Sequence, residues 1–164
     1  MNHISCERLR ELFHYDPETG FMTRKVATRK SKIGSRIGCA NDEGRIVCDI
    51  DGKMYKLHRL AWLHFYGEIP ELDIDHINGE PSDNRIANLR QATCSQNLGN
   101  SRKPTTNKSG KKGVSWHSVG KKWQAHIKVG GTNFYLGLFD TVEDAHAAYM
   151  RKAVEMRGEF ARAE

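Results

Sequence analysis

No stretch of this chain stays apolar for anything near the ~20 residues a membrane-spanning helix needs, so a helical membrane protein is excluded. The opening MNHISCERLRELF lacks the apolar core of a signal peptide, and the chain is expected to begin near Met1 and stay in the cytoplasm. Cysteine is sparse: Cys6, Cys39, Cys48 and Cys94 stand far apart with no CxxC pair. That favours reduced thiols in a reducing compartment over a disulfide framework or a structural zinc site. Acid is missing where it matters most. Between Asn84 and Phe139 there is no Asp or Glu, while Arg85, Arg90, Arg102, Lys103, Lys108, Lys111, Lys112, Lys121, Lys122 and Lys128 all fall there. A second acid-free run, Phe21 to Asn41, carries Arg24, Lys25, Arg29, Lys30, Lys32 and Arg36. The net charge of +6 is therefore concentrated, and surfaces so one-sided repel themselves until a polyanion, most commonly nucleic acid, neutralises them. Trp116, Trp123 and Tyr135 lie in strand-like pieces of the basic region and not on an amphipathic helix, which argues against a membrane surface as the partner.

What is present is enough for one ordinary domain or two small ones: 164 residues, 38% hydrophobic and 28% charged. Ser5 is placed to cap a short helix ending near His14, with Ile4 and Leu9 as a hydrophobic staple and Leu9, Leu12 and Phe13 as its apolar stripe. Asp16 to Gly20 reads as a turn, Phe21 to Arg24 as a strand, and Gly44 to Leu57 as a hairpin turning at Asp51-Gly52. His58 to Tyr66 is apolar on most faces and stops at Gly67, so it reads as a buried helix. His58 and His64 are there as packed or capping groups more readily than as ligands.

The richest stretch is Asp73 to Asn97. Asp73 to Ile77 alternates polar and apolar residues as a strand does, Asn78 to Asn88 is dense in turn formers, and Leu89 to Ala92 reads as the returning strand. Thr93-Cys94-Ser95-Gln96 matches a capping box and starts a helix with Asn97 in its first turn. This order gathers Asp75, His76 and Asn97 where the pieces meet. A carboxylate, an imidazole and an amide so placed suit a hard metal ion and a water activated beside it. The competing reading is that Asn78, Asn84 and Asn88 are turn formers only.

Those residues resemble the HNH nucleases, a family with a beta-beta-alpha-metal fold. The likeness covers HRLAW at 58–62, DHINGEPSDNRIANLR at 75–90 and TCSQN at 93–97. It implies that His76 is the general base and that Asn88 is the central asparagine tying the loop through backbone hydrogen bonds. It also implies that Asn97 shares the metal with Asp75, the ion being Mg²⁺ with Mn²⁺ as the other candidate. Asparagine at the last position places the chain nearer phage and intron-type members than colicin-type ones. No small-molecule cofactor is implied.

Beyond the Gly-, Ser- and Thr-rich segment 99–108, read as a linker, come three strand-like pieces. They cover Gly113 to His117, Lys122 to Val129 and Asn133 to Leu138, followed by an Ala-rich helix from Thr141 to about Arg157. GVSWHSVGKKWQAHIKV, YLGLFDTVEDAHAAY and RGEFA resemble the DNA-binding domain first named in plant APETALA-two and ethylene-response factors, in which a sheet enters the major groove. The matching positions hold Trp116, Lys121, Lys122, Trp123 and His126, and Lys112, Arg85 and Arg90 join them as candidate DNA contacts. Trp123 is equally suited to core packing. The resulting expectation is an α+β chain: an HNH nuclease domain over 1–98, a basic linker over 99–108, and a three-stranded antiparallel sheet on one helix over 109–164. The expected protein is a monomer that nicks double-stranded DNA, of phage or homing type, in the cytoplasm of a bacterial host if phage-encoded. The alternative is a DNA-binding regulator whose HNH part does not cut.

Overall fold

The computed structural model describes residues 4–100 and 107–162. The chain is a mixture of helices and small antiparallel sheets, and it divides into two compact units, one ending at Ala92 and the other beginning at Thr93. No described helix is long and apolar enough to cross a membrane.

In the first unit, helix α1 (Cys6–Leu12) starts at Ser5, whose Oγ accepts a hydrogen bond from the Arg8 amide at 3.1 Å. The helix stops short of His14. Phe13 turns extended (φ −137°, ψ 151°), and strand β1 (Phe13–Tyr15) pairs antiparallel with β2 (Met22–Arg24). As a strand, Phe13 and Tyr15 bury on one face while His14 stays exposed, an arrangement that another helical turn would break. A second sheet is formed by β3 (Cys39–Ala40), β4 (Ile46–Ile50) and β5 (Lys53–Lys56), the last two closed by the Asp51-Gly52 turn. Helix α2 (Leu57–Tyr66) runs through the core and buries Leu57, Leu60, Ala61 and Leu63 against Leu9, Phe13 and Met22. Strand β6 (Asp73–His76) then pairs antiparallel with β7 (Leu89–Ala92), joined by a loop that ends in a 3-10 turn, Ile86–Asn88.

The second unit opens with α3 (Cys94–Asn100), whose last two residues, Gly99 and Asn100, are buried. Of the segment 99–108 read as a linker, residues 101–106 lie outside the described residues. Thr93 and Gln96 form a reciprocal box: the Thr93 amide donates to Gln96 Oε1 at 2.8 Å and the Gln96 amide to Thr93 Oγ1 at 3.3 Å. Strands β8 (Val114–His117), β9 (Lys122–Val129) and β10 (Thr132–Phe139) make an antiparallel sheet with β9 central. Helix α4 (Val142–Arg157) is capped by Thr141 and covers one face, where Ala125 and Ile127 bury beneath Ala145, Tyr149 and Ala153. Small residues on the helix set this close approach. Gly113 shows how close: its φ is +75°, and a Cβ there would overlap the Tyr149 ring. Gly113→Ala is therefore expected to destabilise this unit by about 2–4 kcal/mol, read by urea unfolding, through backbone strain and overpacking together. A loss well under about 1 kcal/mol would contradict the packing described.

Candidate active site

The β6–β7 hairpin sets Asp75 opposite Arg90 and His76 opposite Leu89. Both acid and histidine are buried, at 4% and 5% exposure, although strand alternation sends their side chains to opposite faces. The Asp75 carboxylate accepts from Arg90 Nε at 3.0 Å. Arg90, a candidate for DNA contact, is thus engaged with the acid in the hairpin and is itself largely buried.

The loop is tied from within. Asn88 Oδ1 accepts from the Asn78 amide at 3.0 Å and its Nδ2 donates to the Asp83 carbonyl at 2.8 Å, so one side chain spans the loop from its first residue to its middle. Ile77 N donates to the Asn88 carbonyl at 2.9 Å and extends the ladder one residue past the strand. Asp83 holds Arg85 in a fork, with contacts of 2.8 and 2.6 Å, and these bonds lower its carboxyl pKa to about 2. Arg85, another DNA candidate, carries that internal bond on an exposed side chain.

His76 Nε2 lies 3.2 Å from Asn84 Oδ1. Burial lowers the His76 pKa below its ordinary value, opposed in part by the Asn84 hydrogen bond. His58 of α2 presents its ring to His76 edge-on, with centroids 5.1 Å apart at 84°. It is 3% exposed, and burial first, then the His76 ring, push its pKa down to about 3. His58 is therefore neutral in the fold, and protons bind it only in the unfolded chain at mildly acidic pH. A lowered native pKa contributes stability that is complete above about pH 6.5 and drains away as pH falls toward the folded value. Between about pH 7.5 and about pH 5, His58 is expected to account for a loss of about 2 kcal/mol in urea unfolding, and His58→Gln to flatten the profile by that amount. Parallel profiles for the two proteins would show that the ring titrates freely.

Asn84 and His58 carry little signal in the sequence for the places they take beside His76. Asn84 looked like one turn former among several, and only its 2% exposure and its bond to His76 separate it from the rest. Asn97 sits on α3 in the second unit, its amide donating to the Thr93 carbonyl at 2.9 Å. Among the described residues, no group of three or more His, Cys, Asp or Glu forms a ready metal cage.

The second unit's candidates divide by face. His126 lies on the sheet face away from α4, opposite Tyr135. Trp116 and Trp123 pair across β8 and β9 on the other face, where Trp123 packs partly buried on the core and Trp116 is 51% exposed. Lys122 contacts Asp140 at 2.9 Å, and Lys121 occupies a left-handed turn at φ 46°. Lys112 Nζ donates to the Gly99 carbonyl at 2.7 Å, and burial brings its pKa down to about 8.

Residues 55–98 match the profile of the HNH endonuclease family. The chain is also 33% identical over 111 residues to protein 3.8 of Escherichia phage T7, an alignment covering 67% of this chain and 91% of that one. Residues 55–98 are an HNH endonuclease domain. Another relative, an uncharacterized HNH endonuclease of Acanthamoeba polyphaga mimivirus, is 34% identical over 112 residues, covering 67% of this chain and 57% of that protein. A solved structure of DNA binding and cleavage by the HNH homing endonuclease I-HmuI aligns at a TM-score of 0.43 and 22% identity, over 60% of this chain and 56% of that one. The HNH match takes in α2, the β6–β7 hairpin and α3 as far as Leu98, and with them His58, Asp75, His76, Asn84, Asn88 and Asn97. The β8–β10 sheet lies beyond its end.

Proposed function

We propose that this HNH protein is a metal-dependent endonuclease of the phage or homing type that hydrolyses phosphodiester bonds of double-stranded DNA, nicking one strand at a time as a monomer. One observation carries the reading: a buried histidine of lowered pKa, held at one ring nitrogen, adjoins a buried aspartate in a hairpin closed by an asparagine. His76 is the general base, neutral at physiological pH and able to take the proton of an attacking water. Asn88 keeps the loop in the shape that presents it.

The donor set suits a hard ion. Asp75 supplies a carboxylate and Asn97 an amide oxygen, which leaves most positions for water and phosphate oxygens, the habit of Mg²⁺, with Mn²⁺ as the other candidate. When bound, the ion offsets charge on the scissile phosphate and leaving oxygen.

The nuclease function is assigned to 1–98 and DNA affinity chiefly to 109–164, on the resemblance of its sheet to the plant-factor domain. Lys122 and His126 are the strongest contact candidates there. Arg24, Arg29, Lys30 and Arg36 line one cleft of the first unit and supply a second cationic surface for phosphates.

Supercoiled plasmid incubated with the protein and Mg²⁺ is expected to convert to the open-circular form, with EDTA stopping conversion and Mn²⁺ restoring it. Binding without conversion in either metal would sink the nuclease reading and leave a DNA-binding regulator.

A further inference from the structure

The structure assigns Asn84 as the positioning residue of His76, clamped in turn by the chain's first hairpin. This rests on the reading of His76 as general base.

The amide orientation of Asn84 is settled by its other end. Nδ2 donates to the Ser82 carbonyl at 3.2 Å, so the group facing His76 is the oxygen, Oδ1, at 3.2 Å. An amide oxygen only accepts, and the proton between them therefore belongs to His76 Nε2. In a neutral imidazole that leaves the lone pair on Nδ1. The base that accepts a proton from water is thus chosen by a side chain eight positions along the loop, without any charge being added to the site.

Asn84 is itself held from outside the HNH match. It is 2% exposed, and its carbonyl accepts the Tyr15 hydroxyl at 2.7 Å. Ile86 N donates to the Pro17 carbonyl at 3.2 Å. Gly20, at φ +73°, lies so near that a Cβ would meet Asn84 C and Arg85 N at 2.5 Å each. The Asp16–Gly20 turn is braced internally, Asp16 Oδ2 accepting from Thr19 Oγ1 at 2.7 Å. Tyr15, Pro17 and Gly20 therefore seat one backbone segment from three sides. A short helix and hairpin with no chemistry of their own set the position of the group that orients the base. Ordinary turn duty for Asn84 would require neither its burial nor a carbonyl tethered 69 positions away in the chain.

The test uses the full chain with ¹⁵N-labelled histidine, read by long-range ¹H–¹⁵N correlation without metal. Wild-type His76 is expected to show a single neutral tautomer protonated at Nε2. Asn84→Leu, which keeps the bulk and removes the acceptor, should mix the tautomers and lower kcat about 10- to 100-fold with KM little changed. Asn84→Asp, which keeps an acceptor, should restore the Nε2–H tautomer. Tyr15→Phe should lower kcat severalfold while leaving His76 in contact with Asn84. A wild-type ring protonated at Nδ1 overturns the inference whatever the variants do, and so does an Asn84→Leu protein that folds and keeps the wild-type tautomer and kcat. Failure of the underlying reading looks different: His76→Ala would still cut while the tautomer results stood unchanged.

Discussion

His76→Ala is expected to lose cleavage by about 10²- to 10⁴-fold in kcat, the range that loss of a positioned general base produces. Affinity for DNA should change little, because the ring is 5% exposed and offers almost no surface to a polyanion. The loss should be confined to chemistry. Truncation also removes the ring against which His58 packs edge-on and the partner of Asn84 Oδ1. Some stability will go with it, so the comparison must be made on folded protein, with circular dichroism matched to wild type. His76→Gln offers a check that fills the site while supplying no base. Single-turnover nicking of supercoiled plasmid, with binding measured separately by gel shift, separates the two quantities. Equal cleavage by His76→Ala and wild type would remove His76 from the reaction.

Asp75→Ala is the second large effect, and it is a double one. Loss of a metal carboxylate should abolish detectable nicking in Mg²⁺. It also strips Arg90 of the carboxylate it holds at 3.0 Å, in a pair whose side chains are only 13% and 5% exposed. Breaking such a pair from one side typically costs about 3–5 kcal/mol, because the remaining charge stays in a poorly solvated place. Asp75→Ala alone is therefore expected to unfold at markedly lower urea concentration, and inactivity in it would be ambiguous. The paired change Asp75→Ala with Arg90→Met separates the causes: stability should return while cleavage does not. If the double variant cut DNA, Asp75 would be structural only. If Asp75→Ala kept wild-type stability, the buried pair would carry no weight in the fold.

The hairpin and the helix that follows it were legible in the sequence because their determinants are local. Asp75-His76 ahead of a turn-dense loop, Asn88 before the return strand and a capping box at Thr93 are short-range patterns, and β6, β7 and α3 form where those patterns place them. Thr141 capping α4 and the alternation of Ala125 and Ile127 were equally readable. Less of the first 24 residues was readable. The apolar run through Phe13 fits a helix by period alone, and β1 forms instead because its partner β2 returns after the Asp16–Gly20 turn.

Partnership was where pattern ran out. Arg85 and Arg90 read as candidate DNA contacts, and only the folded hairpin puts them on Asp83 and Asp75. The sequence marks His58 as a packed histidine, and only the fold sets its ring against His76.

The sequence by itself determined that this chain carries an HNH hairpin in a basic protein, since residue type and spacing along a few turns of chain settle both. Only the tertiary structure decided which asparagine meets His76, because Asn84, Tyr15 and Gly20 meet through contacts between segments far apart in the chain. Loop-forming residues carry no mark of such a meeting. Burial and hydrogen-bond direction do, and they exist only once the chain has closed around His76.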